Sequence, residues 1–307
     1  MPAFALLISP RADAAYFADV LKVARAELSG LTDAPCDVLQ AGDMQFLTLE
    51  HASAQDLTRL SFVQGLFDVS DGQFRPVDAS AAFDLHPDFV WGEKYRGKTN
   101  ETLTQLLINV ALQQAQGRSG LRLLDPMCGR GTSLLWAQRY GFDAVGIEQD
   151  ARVLPELRRG LKKWSKLHRQ KHKLSEGWVQ KANKKEIGKY LDFETKAHMR
   201  VVIGDTLNAR DLTQRKPFDL IVTDLPYGVQ HMGPKGQRSV LETLQSAAPE
   251  WSRCLAPGGA MAIAFNANLP KRPELEAVFT GLEVVQTDLA HRMSESILRD
   301  VLLLRKP

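Results

Sequence analysis

The sequence predicts an α/β protein: a seven-stranded, mostly parallel sheet with helices on both faces, preceded by a small α/β unit. Three observations carry that expectation. Short apolar runs alternate with helix-period segments over the last two-thirds of the chain. A glycine turn, Gly129-Arg130-Gly131, joins one such run to a helix. Acidic residues follow four of the runs, namely Asp125, Glu148, Asp205 and Asp224, and open α/β sheets bind ligands at the carboxyl ends of their strands.

Residues 1–83 read as the small α/β unit. A strand is expected at 4–9, then a helix over 12–28 in which Tyr16, Val20, Val23 and Ala24 recur at helix spacing. Apolar residues cluster at Phe46-Leu47-Thr48-Leu49, a second helix pattern covers 54–66, and Leu66-Phe67-Asp68-Val69 leads as a strand into the turn Asp71-Gly72. No chemistry motif stands in this part, whose role is expected to be substrate binding. Residues 84–98, with Pro87, Gly92 and Gly97, read as a linker, and 99–307 as the large domain. The first helix of that domain has Thr99 or Asn100 as its cap and Leu103, Leu106, Leu107, Val110 and Ala111 on one face. Seven strands follow at 121–124, 144–147, 201–203, 220–222, 261–265, 282–285 and 301–304, the last two as an antiparallel edge.

Composition excludes several classes. No apolar run in the 307 residues is long enough to cross a bilayer, and Phe4-Ala5-Leu6-Leu7-Ile8 reads as a strand rather than a leader. Cys36, Cys128 and Cys254 are too scattered for a metal or disulfide framework, which fits a reducing cytoplasm. His168 and His172 stand four apart among cations with no acidic or cysteine partner beside them, so no metal is expected. The net charge of +3 hides an asymmetry. Residues 158–189 hold twelve Lys or Arg against Glu176 and Glu186, a local +10 that leaves −7 for the remainder.

The chemistry concentrates in two stretches. Asp125-Pro126-Met127-Cys128-Gly129-Arg130-Gly131-Thr132 runs from strand to helix, and its glycines let backbone amides approach a ligand. A dinucleotide site needs a third small residue where Leu134 stands, so the pyrophosphate version fits poorly. Glu148 is placed for the hydroxyls of a ribose and Asp205 for an adenine amino group. The second stretch, Asp224-Leu225-Pro226-Tyr227-Gly228, ends a strand. Pro226 fixes the backbone direction, Tyr227 offers a stacking face, and Asp224 accepts the hydrogens of an exocyclic amine. Carbon methylation would need a cysteine nucleophile beside the base, and neither Cys128 nor Cys254 is so placed.

The first stretch resembles the D-P-x-C-G-S-G-T cofactor loop of the class I, Rossmann-like methyltransferases found behind THUMP RNA-binding domains. Asp224-Leu225-Pro226-Tyr227-Gly228 is similar to their D-[PL]-P-[YF]-G amino-methylation motif. Lys94-Tyr95-Arg96-Gly97-Lys98-Thr99-Asn100 is similar to the segment before their cofactor loop, and Leu255-Ala256-Pro257-Gly258-Gly259 to a turn of the wider superfamily. Arg130 departs from the usual serine, and residues 1–80 carry no THUMP pattern. The resemblance covers about 90–307 and implies an S-adenosylmethionine-dependent enzyme, cytoplasmic, acting on guanosine N2 in tRNA. An N6-adenine methyltransferase of rRNA or DNA, and a non-catalytic nucleic-acid-binding protein, stay open as alternatives. It implies cofactor contacts from Thr99, Asn100, Asp125, Met127, Cys128, Gly129, Gly131, Thr132, Glu148, Gln149, Asp205, Thr206 and Asp224. Asp224, Pro226 and Tyr227 would orient the base. RNA is expected on Arg158, Arg159, Lys162, Lys163, Trp164 and Lys166 of the basic segment, with Trp178 as a second stacking ring, and on Lys235 and Arg238.

Overall fold

The computed structural model describes residues 3–9, 17–50, 52–78, 82–95, 97–117, 120–226, 240–294 and 297–307. The first part folds as β1 (Ala3–Ser9), α1 (Phe17–Ser29), β2 (Cys36–Ala41), β3 (Met44–Glu50), α2 (Ala54–Leu57), β4 (Gly65–Asp68) and β5 (Arg75–Pro76). Its strands form an antiparallel sheet in the order β2-β3-β1-β4-β5. Inward-facing Phe4, Leu6 and Ile8 alternate along β1 and pack with Ala24 and Leu28 of α1. The helix expected over 54–66 stops at Leu57. Leu60 and Phe62 turn into the same core, and the Gln64 amide bonds to the Leu7 carbonyl.

The segment 84–98 is packed rather than an exposed tether. It carries α3 (Asp88–Trp91) and buries Leu85, Phe89 and Val90 in the core beside the second sheet. Then come α4 (Glu101–Gln114), β6 (Arg122–Asp125), α5 (Thr132–Arg139), β7 (Asp143–Glu148), α6 (Val153–Leu167), β8 (Lys173–Gln180), β9 (Glu186–Glu194) and β10 (His198–Ile203). A 3-10 turn at Thr206–Asn208 leads to α7 (Ala209–Leu212), β11 (Phe218–Asp224), α8 (Val240–Cys254), β12 (Leu255–Asn266), α9 (Arg272–Glu276), β13 (Glu283–Val285), β14 (His291–Ser294) and β15 (Ile297–Arg305).

The second sheet is mixed and ten-stranded, in the order β13-β15-β12-β11-β6-β7-β10-β9-β8, with β14 paired to β15. Its central strands β12, β11, β6, β7 and β10 are parallel. The seven expected runs are all present, and β13 pairs antiparallel with β15. The count of seven is corrected by β8, β9 and β14. Strand order reverses between β6 and β11, so the crevice outside their carboxyl ends is the switch point of the sheet.

Both faces are covered, and β12 shows how the sequence separates them. Ala260, Ala262 and Ala264 face the side of α3, α4, α5 and α6, while Met261, Ile263 and Phe265 face α7, α8 and α9. The small face lets α4 lie close on the sheet. Residues 103–111 of α4 are buried all round, because its outer side meets the first part of the chain. There the Arg59 carbonyl accepts from Gln105 Nε2 (2.8 Å), Asn109 Nδ2 (2.8 Å) and the Tyr140 hydroxyl (3.0 Å). The buried Glu27 accepts from Ser61 and Asn109, and burial raises its pKa despite those bonds. No helix among the described residues is long and apolar enough to cross a membrane.

Candidate active site

The cofactor loop lies between the end of β6 and the start of α5. Gly129 and Gly131 have φ of 51° and 77°, left-handed values that favour glycine, and Gly131 is the N-cap of α5. The Cys128 amide bonds to the Ile147 carbonyl (3.0 Å), which fastens the loop over β7. At that crossing a Cβ on Gly146 would stand 2.5 Å from Cys128 Sγ and 2.6 Å from Leu134 Cδ1. The small residue that the dinucleotide fingerprint keeps in its loop is therefore supplied here by the neighbouring strand. Leu134 fills the loop position, and Gly146 makes room beneath it.

Asp125 is 6% exposed. One carboxylate oxygen accepts from the Met127 amide (3.0 Å) and the other from the Ser133 hydroxyl. Burial pushes its pKa up to about 6 against those two bonds. Burial also drives the Cys128 thiol well up and the Cys254 thiol to about 11. Neither is an activated nucleophile, in keeping with the exclusion of carbon methylation.

Six of the expected residues line one open recess of about 260 Å³, mouth included: Thr99, Asp125, Met127, Cys128, Thr132 and Asp224. The recess sits at the switch point. Glu148 and Asp205 stand at the same end of the sheet, outside the recess, on β7 and just after β10. Each has one oxygen bound to backbone, Glu148 to the Asp150 amide (2.8 Å) and Asp205 to the Leu207 amide (2.9 Å). Gln149 is exposed beside Glu148. Two residues expected to contact the cofactor also have structural employment. Asn100 Oδ1 caps α4 through the Leu103 amide (2.9 Å), and the buried Thr206 hydroxyl accepts from Trp251 Nε1 (2.9 Å), holding α8 against the turn.

At the reacting end, β11 delivers Asp224, and the Leu225 amide bonds to the Ala264 carbonyl (2.9 Å). Pro226 is half-buried; Tyr227, Gly228, Lys235 and Arg238 lie outside the described residues, as do Tyr16 and Arg96. One group was missed from the sequence. Arg299 Nη2 lies 4.0 Å from Asp224 Oδ2, with both side chains about nine-tenths buried. Arg299 sits two strands away, next to Asn266 in register, and the small Ala264 leaves the path across β12 open. A cation inside the apolar strand Ile297–Arg305 was the available signal.

The basic segment is the outer part of α6 plus the β8–β9 hairpin, which extends the sheet edge. Trp164 is 9% exposed and belongs to the core stripe Leu154, Leu157, Leu161, Trp164, so it is no surface ring; Trp178, 52% exposed on β8, is. Several cations are already compensated: Arg158 and Lys189 by Glu176 (both 2.9 Å), Lys163 by Glu93 (3.0 Å) and Lys181 by Asp211 (2.8 Å). The bond from Lys181 places the hairpin tip at the carboxyl end of the sheet, beside α7. His168 and His172 do not converge, since His168 Nε2 meets Asp88 Oδ2 (2.8 Å) and His172 Nδ1 meets the Gln170 carbonyl (3.0 Å). His86, Asp88 and His168 lie within 4.8 Å of one another, with the two imidazoles stacked face to face.

The profile of the RMKL-like methyltransferase domain matches residues 93–287. The chain belongs to that family. Over 214 residues it is 27% identical to a tRNA (guanine(10)-N2)-dimethyltransferase of Methanothermobacter thermautotrophicus, covering 69% of this chain and 50% of that protein. It thus spans about half the length of the curated relative it matches. Among solved structures it is similar to TrmN of Thermus thermophilus, with 17% identity, TM-score 0.47, and 89% and 60% of the two chains covered. It is also similar to the 16S rRNA N2 G1207 methyltransferase RsmC of T. thermophilus, solved with AdoMet and guanosine, at 18% identity, TM-score 0.43 and coverage of 89% and 58%.

Proposed function

We propose that this chain is an S-adenosylmethionine-dependent methyltransferase acting on an exocyclic amine of an RNA base, guanosine N2 in tRNA. The observation that carries the reading is the shared recess: Asp125 of the glycine loop and Asp224 of the D-L-P-Y stretch open into one space at the switch point. The name of the Methanothermobacter relative supports the choice of guanine N2 and of tRNA.

The site fits the cofactor. The left-handed Gly129 and Gly131 let the loop backbone approach a ligand with no Cβ in the way, and Asp125, Glu148 and Asp205 stand at one end of the sheet. These five residues, with Met127, would hold it. When bound, S-adenosylmethionine supplies an electrophilic methyl group. The chain's own part is positioning. The Asp224 carboxylate accepts hydrogens of the target amine, leaves its lone pair free, and balances the positive charge that develops on nitrogen. The Arg299 guanidinium, 4.0 Å from Oδ2, gives that buried carboxylate a positive neighbour. Pro226 sets the direction of the following backbone, and Tyr227 stacks on the base.

The raised pKa of Asp125 gives a pH dependence. In the free protein the folded state holds this proton more tightly than the unfolded chain, whose carboxyl titrates near 4. Stability contributed by the neutral form is complete below that value and is lost as pH rises through about 6. A cofactor with cationic groups favours the ionised form, so its affinity is expected to rise across the same window, with proton release on binding. Calorimetry in buffers of different ionisation enthalpy reads that release; a pH-independent affinity would remove Asp125 from the cofactor site. The same titration tests the proposal as a whole, because a chain that binds no S-adenosylmethionine at neutral pH is no methyltransferase.

A further inference from the structure

A second recess, of about 510 Å³ with its mouth, lies between the 89–98 segment, Arg130 and α6. Its walls are Phe89, Leu157 and Trp164, and its rim carries Arg130 and Arg159. Thr132 borders both this space and the recess that holds Asp125 and Asp224.

Two features mark it as built for a ligand. Gly160, inside α6, also lines the recess, and a Cβ there would meet nothing nearer than Glu93 Cγ at 3.6 Å. A helix-interior glycine is unfavourable relative to alanine, and no packing requires it here; its effect is to leave the space open. The Arg130 guanidinium lies over the Tyr95 ring at 4.0 Å, a cation–ring pair beside which a further ring can stack.

The charges around the mouth identify the ligand. Glu156 is paired with Arg130, and Glu93 with Lys163, so the rim acids are neutralised. Arg159 has no ion-pair or hydrogen-bond partner among the described residues, and neither do Lys162 and Lys166. At spacings of three and four they form one stripe along α6, about 10 Å long, that starts at the recess. An apolar slot with a stacking plane takes a planar heterocycle. A row of uncompensated cations leading away from it takes the phosphates of a strand attached to that heterocycle.

We propose that this recess receives an unpaired base of the RNA substrate, next to the base that is methylated, while Arg159, Lys162 and Lys166 hold the adjoining phosphates. The inference rests on the RNA reading of the active site.

The test uses the full chain, a short single-stranded RNA carrying one fluorescent purine analogue, and S-adenosylmethionine titrated separately. Gly160→Leu fills the recess from a helical position that accepts a side chain. It is expected to weaken RNA binding on the order of tenfold and abolish quenching of the analogue, with cofactor affinity unchanged. Exchange of Arg159, Lys162 and Lys166 together for Gln leaves the fold's packing untouched, and is expected to flatten the slope of log affinity against log salt by about 2, at ~0.7 per phosphate contact on a single strand. Unchanged RNA affinity in Gly160→Leu would overturn the base site, and an unchanged salt slope the phosphate row. Loss of cofactor affinity in Gly160→Leu would assign the recess to the cofactor instead. Guanosine monophosphate binding as tightly as the oligonucleotide would overturn the RNA ligand in favour of a free nucleotide. Wild-type chain that binds the cofactor but no RNA would sink the RNA reading itself.

Discussion

Asp224→Ala is expected to slow methyl transfer by about 10²–10³-fold while changing cofactor affinity far less. The carboxylate ends β11 and opens into the same recess as Asp125, yet the next residue is held independently by the Leu225 amide on the Ala264 carbonyl. Removing the side chain therefore leaves the backbone path intact and takes away the acceptor for the amine. It also removes the carboxylate that lies 4.0 Å from the buried Arg299, which lowers stability. A thermal melt on the same protein separates that stability loss from the kinetic one. Asp224→Asn, which keeps the shape and neutralises the charge, should lose most of the rate with a smaller drop in melting temperature. Equal losses of transfer and of cofactor binding would mean that Asp224 holds the cofactor and not the base.

The second large effect is expected at a residue that touches no ligand. Gly146→Val should weaken S-adenosylmethionine binding on the order of 100-fold or more. Any Cβ at this point of β7 falls 2.5 Å from Cys128 Sγ and 2.7 Å from Cys128 Cβ, inside a loop fastened by the Cys128 amide to the Ile147 carbonyl. Neither atom is the free end of a long side chain. The loop must lift off the strand, carrying the amides of Gly129 and Gly131 with it, and displacements of about 1 Å in a binding constellation cost factors near 100. The overpacking itself adds about 1–3 kcal/mol of destabilisation. Gly146→Ala, with a smaller volume but the same Cβ, should show an intermediate loss, partly restored by Leu134→Ala. Calorimetry reads all three, and cofactor affinity of the valine variant within a few-fold of wild type would refute the packing argument.

The parallel sheet was legible in the sequence because its strands carry short apolar runs, β-branched at Val201-Val202-Ile203 and Leu220-Ile221-Val222, with helix-period segments between them. The β8–β9 hairpin was not, since Lys173–Gln180 is mostly exposed and gains its place by pairing along β9 and by the Arg158–Glu176–Lys189 charge cluster. Trp164 was misplaced by its basic neighbours, although its spacing from Leu157 and Leu161 marks the core face of a helix. The recess residues Thr99, Asp125 and Asp224 were legible as strand-end and cap positions. Arg299 and Gly146 were not, because each acts across a neighbouring strand and sequence spacing says nothing of that register. Thr206 and Asn100 carry structural bonds that sequence spacing does not show, one holding α8 and the other capping α4.

The central claim is methylation of an exocyclic amine on guanosine in RNA. The most direct measurement incubates the purified chain with isotopically labelled S-adenosylmethionine and unmodified tRNA, digests the product to nucleosides and weighs them. Label in N2-methylguanosine, absent when Asp224→Ala replaces the wild type, is the expected result. Label in N6-methyladenosine would contradict the choice of base, and unlabelled nucleosides from a chain that binds the cofactor would contradict RNA as the substrate.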